Sequence, residues 1–361
     1  MRITLDCRHI DSSGGIGVYI RELLPFFLAS GASIILLGDE KLMRQSAKNN
    51  AVEVAHCTIN PFSLRGTFAL PKSILKKINS GDVYYTPHFN IPRGITVPIY
   101  STIHDIVFLD MPKIVSKPGV WIRMYFYKRA ARFSKAIFTV SEFSKSRIKH
   151  FLGDSLNVIN ALNAVNVPFQ VNLKNLPEKK KNILFVGNIK KHKGLNILLD
   201  AFLQCRKEGL DYDLVIIGSR DNFRSGDKKT SKRLDGLKEY GVNFLGYISD
   251  AEKWQLIAES ALLIQPSLYE GFGYPPLEAM HSGTQALISD ISVFKEIYAD
   301  FPVRFFSVGD SRDLHDKLME ILSGKNPQAV YLGDTLMKKY TFEKTASIIL
   351  REMKAAIVHY D

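Results

Sequence analysis

Two glutamates eight residues apart, Glu270 and Glu278, flank a glycine-containing loop, and their spacing is the strongest chemical signal in the chain. The loop follows a short apolar run at residues 261–264, which predicts a buried strand. Pro275 and Pro276 then open a helix, because proline suits the first helical positions. A loop that leads into a helix N-terminus directs backbone N–H groups and a positive dipole end at a bound anion. The segment therefore predicts an anion site with a carboxylate on each side.

A second candidate is the basic loop at residues 186–194, VGNIKKHKG, which follows a predicted strand and precedes a helix. Lys193 stands directly before Gly194 in this loop. Considered alone, a solvated basic loop is the better interpretation. The glutamate segment in the same half of the chain reverses that preference.

The N-terminal loop Gly14-Gly15-Ile16-Gly17 lies between a predicted strand and a helix. Glycines at Gly15 and Gly17 allow the backbone to approach a phosphate closely. The loop also imitates a nicotinamide-binding fingerprint, because Asp39 follows after a strand. Ile20 replaces the third glycine of that fingerprint, so a dehydrogenase is a weak alternative.

His104 and Asp105 end a predicted strand over residues 97–103. A histidine at the end of a strand is equally compatible with a ligand-binding role and with a core histidine held by Asp105 or a backbone carbonyl. The residues do not decide between these two interpretations.

Strands and helices alternate along the chain without an internal repeat, which predicts an α/β fold with doubly wound parallel sheets. Proline and lysine residues interrupt the pattern between residues 166 and 181, and we interpret this stretch as a linker. We predict domains at residues 1–170 and 171–338, followed by a final helix at 339–361. Every candidate site named above then lies at the carboxyl end of a strand, where such sheets bind ligands.

The net charge of +12 is concentrated in the first half of the chain. Residues 1–170 contain 21 Lys and Arg against 11 Asp and Glu, a balance of +10, and the rest has 27 against 25. Such a basic half favours an anionic partner, among which nucleic acid, acidic lipid and a phosphorylated acceptor are the classes to consider. The three scattered cysteines exclude a disulfide framework, and no apolar run approaches the ~18 residues of a membrane-spanning helix. We expect a cytoplasmic protein with no signal peptide.

The predicted helix at residues 119–133 has two stripes at helical spacing. Ile122, Phe126, Ala130 and Phe133 are expected to face the core. The other stripe mixes aromatic and basic groups, as surfaces that bind anionic bilayers do: Trp121, Tyr125, Lys128 and Arg132. A helix packed on both stripes is an equally weighted alternative.

The glutamate segment, the Lys193 loop, the N-terminal glycine loop and the His104-Asp105 pair together resemble the retaining GT-B glycosyltransferases of glycosyltransferase family 4. The resemblance extends over almost the whole chain, and the overall texture of the sequence resembles bacterial mannosyltransferases of polysaccharide assembly. It implies two Rossmann-like domains that face a central cleft, with the last helix crossing back to the N-terminal, acceptor-side domain. The C-terminal domain would bind the nucleotide sugar.

The resemblance also implies roles for individual residues. Glu270, Lys193 and His104 would be catalytic. Donor binding would fall to the following residues: Gly14, Gly15, Asn188, Lys193, Gly271, Phe272, Gly273, Tyr274 and Glu278. Asn188 departs from the family pattern, which often has an arginine there. The Asp211-Tyr212-Asp213 stretch spells the metal-binding pattern of the other large glycosyltransferase fold, but it precedes its strand, and we interpret it as a turn.

These features predict transfer of a hexose, with mannose from GDP-mannose favoured, to a glycan or to a lipid-pyrophosphate-linked acceptor. The donor is a nucleotide-diphosphate sugar, and neither a metal nor another cofactor is expected. No nucleic acid is expected as a partner, whereas an anionic membrane surface is a partner to test. If that surface binds, the protein lies peripherally on the inner face of the cell membrane. The alternative function is a non-catalytic protein of the same fold that binds nucleotide sugars or carbohydrate.

Overall fold

The computed structural model describes residues 1–12, 14–48, 50–166, 177–220, 226–324 and 327–358. The chain divides into two compact units. Unit 1 comprises Met1–Pro112, Ser116–Asn166 and Tyr340–Asp361, and unit 2 comprises Lys113–Val115 and Val167–Lys339. Most of the predicted linker, residues 167–176, lies outside the described residues.

Unit 1 contains a seven-stranded sheet with the order β3-β2-β1-β4-β5-β6-β7, in which all neighbours pair in parallel. Its strands are β1 (Arg2–Asp6), β2 (Ser33–Gly38), β3 (Glu53–His56), β4 (Val83–Thr86), β5 (Ile99–Thr102), β6 (Ser134–Thr139) and β7 (Val158–Asn160). The helices that precede β8 are α1 (Gly15–Leu28), α2 (Glu40–Ala47), α3 (Leu64–Phe68), α4 (Lys72–Ile78), α5 (Val107–Asp110), α6 (Lys117–Phe133) and α7 (Glu142–Leu152).

Unit 2 contains a six-stranded sheet with the order β10-β9-β8-β11-β12-β13, again with parallel pairs. Its strands are β8 (Lys180–Val186), β9 (Asp213–Ile217), β10 (Val242–Gly246), β11 (Ser260–Gln265), β12 (Gln285–Ser289) and β13 (Arg304–Phe306). Its helices are α8 (Leu195–Lys207), α9 (Lys228–Leu234), α10 (Asp250–Glu259), α11 (Tyr274–His281), α12 (Ser292–Ile297), α13 (Ser311–Leu322) and α14 (Asp334–Met337). The last helix, α15 (Phe342–Val358), packs against α1 within unit 1.

The apolar strands are covered on both faces, as parallel sheets require. In β2, Ile34 and Leu36 join one buried cluster, whereas Ile35 and Leu37 join the cluster on the opposite face. This alternation follows from the two-residue period of a strand. The two sheets confirm the predicted α/β class with two doubly wound domains.

The sequence missed the short strands β3 and β7, which have only four and three residues. Its core stripe on α6 was only partly right. Ile122 is 51% exposed and Phe133 is 46% exposed, whereas Ala130 is buried as expected. The other buried residue of the helix is Tyr127, which the stripe did not include.

The strand order reverses once in each sheet, between β1 and β4 in unit 1 and between β8 and β11 in unit 2. At such a point the chain leaves neighbouring strands in opposite directions, and the diverging loops leave a crevice at their carboxyl ends. Open α/β sheets bind ligands in this crevice. The reversal points therefore indicate where each unit can hold a ligand.

Candidate functional site

Lys193 and Glu270 lie in the two loops that leave the reversal point of unit 2. Lys193 ends a 3₁₀ turn after β8, and Glu270 lies between β11 and α11. Because β8 and β11 are paired neighbours, their carboxyl ends bring the two loops together. The tertiary structure thus joins residues that are 77 positions apart.

Glycine at position 194 allows these loops to approach. Gly194 has a left-handed φ of 68°, which ends the 3₁₀ turn and starts α8. A Cβ atom at this position would lie 1.9 Å from the carbonyl oxygen of Pro266. The Leu268 N–H donates to the His192 carbonyl at 2.8 Å, which holds the loop after β11 against the loop after β8. Any larger residue at 194 would separate Lys193 from Glu270.

The Lys193 ammonium donates to both carboxylate oxygens of Glu270, at 2.6 Å to Oε1 and 2.8 Å to Oε2. The glutamate side chain is 9% exposed and the lysine side chain is 21% exposed. We call this contact the donor-side pair. It places a partly exposed cation and a largely buried carboxylate at the reversal point of unit 2.

Two neutral side chains that the sequence analysis did not identify also donate hydrogen bonds to the Glu270 carboxylate. Ser267 Oγ donates to Oε1 at 2.7 Å, and Gln265 Nε2 donates to the same oxygen at 3.3 Å. Gln265 Nε2 also donates to Ser267 Oγ at 2.8 Å, so the three side chains form one network. A polar residue at the end of a predicted buried strand, such as Gln265, was the available signal.

The glycine loop turns sharply at Gly273, whose φ is 93°. A Cβ atom there would meet the ring of Phe294 at 2.4 Å, and the Tyr298 hydroxyl donates to the Gly273 carbonyl. Helix α11 begins at Tyr274, and Pro275 and Pro276 are its second and third residues. Gly271 and Phe272 are buried beneath this turn, so the loop is held by packing as well as by backbone geometry.

Glu278 also has a lysine partner. Lys253 on α10 donates to Glu278 Oε1 at 2.8 Å, and both side chains are largely buried. The sequence did not indicate Lys253, because it lies on a separate helix. Both carboxylates of the glutamate segment are therefore paired with a lysine in the structure.

Asn188 links neighbouring loops of the same unit. Its Oδ1 accepts a hydrogen bond from the Ser219 N–H at 3.0 Å, which connects the loop after β8 to the loop after β9. His192 follows in the same loop and is buried. Burial, with the nearby Lys193 and Lys190, lowers the pKa of His192 to about 2, so its imidazole is neutral at physiological pH. Lys193 is thus next to a neutral ring.

The N-terminal glycine loop belongs to unit 1, and its residues from Gly15 onward already form the first turn of α1. The Gly14 N–H donates to Ser12 Oγ at 3.2 Å. Arg21 donates to the carbonyls of Ile10 and Ser12 and thereby holds the preceding loop. The first-turn N–H groups after Gly14 have no carbonyl partner within the helix, as at any helix N-terminus.

His104 lies after β5 in unit 1. Its Nε2 is 3.0 Å from the Pro87 carbonyl, which can only accept, so Nε2 carries the proton and Nδ1 is an acceptor. Its ring packs edge-on against Tyr19 at 4.8 Å between centroids. Burial lowers the pKa of His104 to about 4, and the imidazole is therefore neutral at pH 7.

Unit 1 has its own ion pair at the β1–β4 reversal point, which the sequence analysis did not identify. Arg8 donates to Asp6 at 2.9 Å and 2.6 Å, and the two side chains are 1% and 0% exposed. The Tyr84 hydroxyl adds a hydrogen bond to Asp6 at 2.7 Å. Burial alone would raise the pKa of Asp6, but Arg8 more than offsets it and the pKa falls to about 2. We call this contact the core pair.

The aromatic and basic stripe of α6 lies on the surface. Trp121 is 77% exposed and Tyr125 is 54% exposed, and Lys128 and Arg132 are also exposed. Among the described residues, no helix is both long enough and apolar enough to cross a bilayer.

The aspartates at positions 211 and 213 do not share a ligand geometry. Asp211 forms an ion pair with Lys181 at 2.7 Å, and Asp213 is the first residue of β9. Over the part of the chain that the structure describes, no group of three or more His, Cys, Asp or Glu residues is arranged to hold a metal ion.

Comparison with known proteins places this geometry in context. The family model described as "Glycosyl transferases group 1" matches residues 167–334. The chain is 28% identical over 288 residues to the O-antigen chain mannosyltransferase RfbU of Salmonella typhimurium, covering 78% of this chain and 76% of that protein. It is also 28% identical over 373 residues to the phosphatidyl-myo-inositol mannosyltransferase of Mycobacterium leprae, covering 97% and 96%.

Two solved structures have a similar fold along their whole length. The sucrose-phosphate synthase of Thermosynechococcus elongatus aligns with a TM-score of 0.70 at 16% identity, covering 99% of this chain and 100% of that chain. The Anabaena protein HepE, in complex with UDP and glucose, aligns with a TM-score of 0.68 at 16% identity, covering 98% and 99%. The fold of the chain is GT-B, and the family match with the sequence relatives supports a glycosyltransferase.

Proposed function

We propose that the chain is a retaining, metal-independent hexosyltransferase of family 4 that acts in cell-surface polysaccharide synthesis. Its donor is a nucleotide-diphosphate sugar, with GDP-mannose as the leading candidate, and its acceptor is a glycan or a lipid-linked glycan. The observation that carries this proposal is the donor-side pair of Lys193 and Glu270 at the reversal point of unit 2. The mannosyltransferase names of the sequence relatives favour mannose.

The charges at the site match the charges that the reaction develops. Breaking the bond between sugar C1 and the diphosphate increases negative charge on phosphate and positive charge on the sugar. Lys193 and the N-terminus of α11 oppose the negative charge, which makes a metal ion unnecessary in this role. Glu270 accepts a hydrogen bond from a sugar hydroxyl and eases the positive charge. Glu278 takes the nucleotide ribose, with Lys253 fixing its carboxylate.

The remaining predicted residues complete the proposal. The backbone of Gly271, Gly273 and Tyr274 supports the donor at the start of α11, with Phe272 packed beneath it, and Asn188 holds the adjacent loop. The N–H groups at Gly14 and Gly15 assist a phosphate. His104, a neutral imidazole with Nδ1 as acceptor, takes a hydroxyl of the transferred hexose.

Retention of the anomeric configuration follows from a transfer in which the acceptor attacks from the face that the diphosphate leaves. The described site offers Glu270 as a carboxylate near the sugar, and its three hydrogen-bond donors stabilise it as a hydrogen-bond acceptor rather than as a nucleophile. A double displacement of the kind used by retaining glycosidases has no assigned nucleophile here.

A donor panel tests the proposal. The purified protein is incubated with a glycan or lipid-linked glycan acceptor and, in turn, with GDP-mannose, UDP-glucose, UDP-galactose and ADP-glucose, and mass spectrometry follows nucleotide release and glycan products. We expect one donor to be consumed, the product to keep the α-anomeric coupling by NMR, and activity to survive EDTA. Binding of a donor without hydrolysis or transfer would instead support a non-catalytic binding protein.

For the surface of α6, we propose contact with an anionic membrane on the cytoplasmic face, where a lipid-linked acceptor would lie. Exposed aromatic rings beside cations are the groups that an interfacial surface uses. The four residues are Trp121, Tyr125, Lys128 and Arg132, all of them exposed. The +10 balance of residues 1–170 supports the same choice.

A further inference from the structure

The donor-side pair satisfies Lys193 before any donor is present. Its ammonium lies within 2.8 Å of both carboxylate oxygens of Glu270, so the two charges neutralise each other. Two of the three ammonium N–H groups are engaged in this way, so a diphosphate that binds the ammonium through more than the remaining one competes with the glutamate for it. The 21% exposure of the Lys193 side chain leaves a path for that competition.

The two oxygens of Glu270 differ in what would remain after the lysine leaves. Oε1 keeps the hydroxyl of Ser267 and the amide of Gln265, which hold the carboxylate in place. Oε2 accepts a hydrogen bond from Lys193 at 2.8 Å. Departure of the lysine therefore frees a hydrogen-bonding position on Oε2, while the donors to Oε1 keep the side chain in place.

We propose that the donor-side pair is an ion-exchange site. In the ligand-free enzyme Glu270 holds Lys193, and the donor diphosphate takes the lysine from it and thereby frees Oε2 for a sugar hydroxyl. This inference rests on the proposed function, because it takes the ligand to be a nucleoside diphosphate or its sugar ester. It assigns Ser267 and Gln265 as positioning residues that keep Glu270 in place during the exchange.

The exchange has two consequences. Diphosphate affinity is reduced by the fraction of molecules in which Lys193 is still bound to Glu270, as for any ligand that needs a minor state. The carboxylate also becomes available to the sugar only after the diphosphate is in place. Binding of the leaving group and preparation of the carboxylate are then a single event.

The proposal is tested by calorimetric titration of GDP, UDP and ADP into four proteins: the wild type, Glu270→Gln, Lys193→Ala and the double variant. Glutamine keeps the size of the side chain and removes the competing charge. We expect Glu270→Gln to bind the preferred nucleotide about five-fold more tightly or better than the wild type. Lys193→Ala should bind it more weakly.

The double variant separates exchange from simple charge repulsion. If Glu270 only repelled the diphosphate, its replacement would strengthen binding equally in the Lys193→Ala background. If the exchange operates, the nucleotide dissociation constants of the double variant and of Lys193→Ala agree within about two-fold, because neither protein has the lysine for which Glu270 and the diphosphate compete. Circular dichroism of all four proteins checks that each is folded.

Three results overturn the inference. First, if Glu270→Gln binds the nucleotide no more tightly than the wild type does, Glu270 does not compete with the diphosphate for Lys193. Second, if Glu270→Gln raises nucleotide affinity equally in the wild type and in Lys193→Ala, charge repulsion between Glu270 and the diphosphate explains the effect. The third is the absence of binding of all three nucleotides by the wild type, which also overturns the proposed function, whereas the first two leave that function intact.

Discussion

Each unit of the chain has an ion pair at the point where its strand order reverses, and the two pairs differ in their exposure. The core pair of unit 1, Asp6 and Arg8, is sealed from solvent and bound further by Tyr84. The donor-side pair of unit 2, Lys193 and Glu270, keeps its lysine 21% exposed. The same topological position therefore supports a permanent structural contact in one unit and an exchangeable one in the other.

The difference follows from the cost of leaving a charge without a partner. A fully buried charge that loses its partner is strongly destabilising, so the core pair cannot open for a ligand. A partly exposed lysine is still reached by water and ions, and its contact is correspondingly weaker. Accessibility, rather than the presence of opposite charges, distinguishes a binding site from a structural pair.

The largest expected effect is on stability, from Arg8→Met. This change leaves Asp6 buried without its cation and should cost about 3–5 kcal/mol of the free energy of unfolding. Lys193→Met is the matched control, and it should cost less, because Ser267 and Gln265 still donate to the Glu270 carboxylate and the lysine side chain is partly exposed. Hydrogen exchange with mass spectrometry, resolved to peptides of β1, β4, β8 and β11, measures each unit separately. Equal destabilisation by the two variants would contradict the distinction between a structural core pair and an exchangeable donor-side pair.

The next effect is on catalysis. Lys193→Ala should lower the rate of transfer about 10²–10³-fold, since it removes a donor to the developing phosphate charge worth about 2.7–4 kcal/mol. Lys191→Ala is the control, because Lys191 lies in the same turn but is exposed, and its rate of transfer should stay within about two-fold of the wild-type rate. Steady-state rates at saturating donor compare the two variants. An unchanged rate in Lys193→Ala would transfer the phosphate contact to Lys190 or Lys191.

A smaller effect concerns acid stability near the core pair. Burial lowers the pKa of His88 to about 3, with Asp6 opposing the shift and Arg8, His9 and His104 adding to it. A histidine with a lowered folded pKa contributes full stability above the unfolded value of about 6.5, and stability falls as the pH drops from there toward 3. At pH 5 the loss should be about 2 kcal/mol.

The variant His88→Asn measures this contribution. Asparagine keeps an acceptor near the position of Nδ1, which accepts from the Asn90 N–H at 3.2 Å, but it does not titrate. We expect the stability of the variant relative to the wild type to improve on going from pH 7.5 to pH 5. A constant difference across this range would show that His88 is not held neutral by the fold.

The smallest effect extends the comparison to cations that are exposed on the surface. Lys128→Glu with Arg132→Glu should weaken sedimentation with anionic liposomes, because each cation near such a bilayer contributes about 1 kcal/mol. Added salt should weaken wild-type binding in the same direction. Equal sedimentation with neutral and anionic liposomes, or none with either, would contradict a membrane role for α6.

Much of the fold was determined by local sequence alone. The apolar run at residues 261–264 predicted the strand that the structure shows at Ser260–Gln265, because a buried parallel strand needs continuous apolar residues. The proline pair at Pro275 and Pro276 likewise predicted the start of α11 to within one residue. The short strands β3 and β7 escaped prediction because each has only three or four residues, too few to show a periodic pattern, and their pairing depends on a neighbouring strand.

The candidate site was determined only in part. The glutamate segment and the Lys193 loop were recognised as separate signals, since each has a glycine or proline whose local geometry is readable. Their contact, and the addition of Lys253, Ser267 and Gln265, were decided by tertiary structure. Side chains that meet across paired strands or from separate helices have no characteristic spacing in the sequence by which their contact could be recognised.

The core pair shows the same limit most clearly. Asp6 and Arg8 are two residues apart in an ordinary strand end, and nothing in that spacing indicates that both are buried. Their burial depends on β4 packing alongside β1 and on the Tyr84 hydroxyl reaching the carboxylate. Sequence specifies which residues can ionise, but only the packed structure decides how much water each charge retains, and that amount separates the structural pair from the exchangeable one.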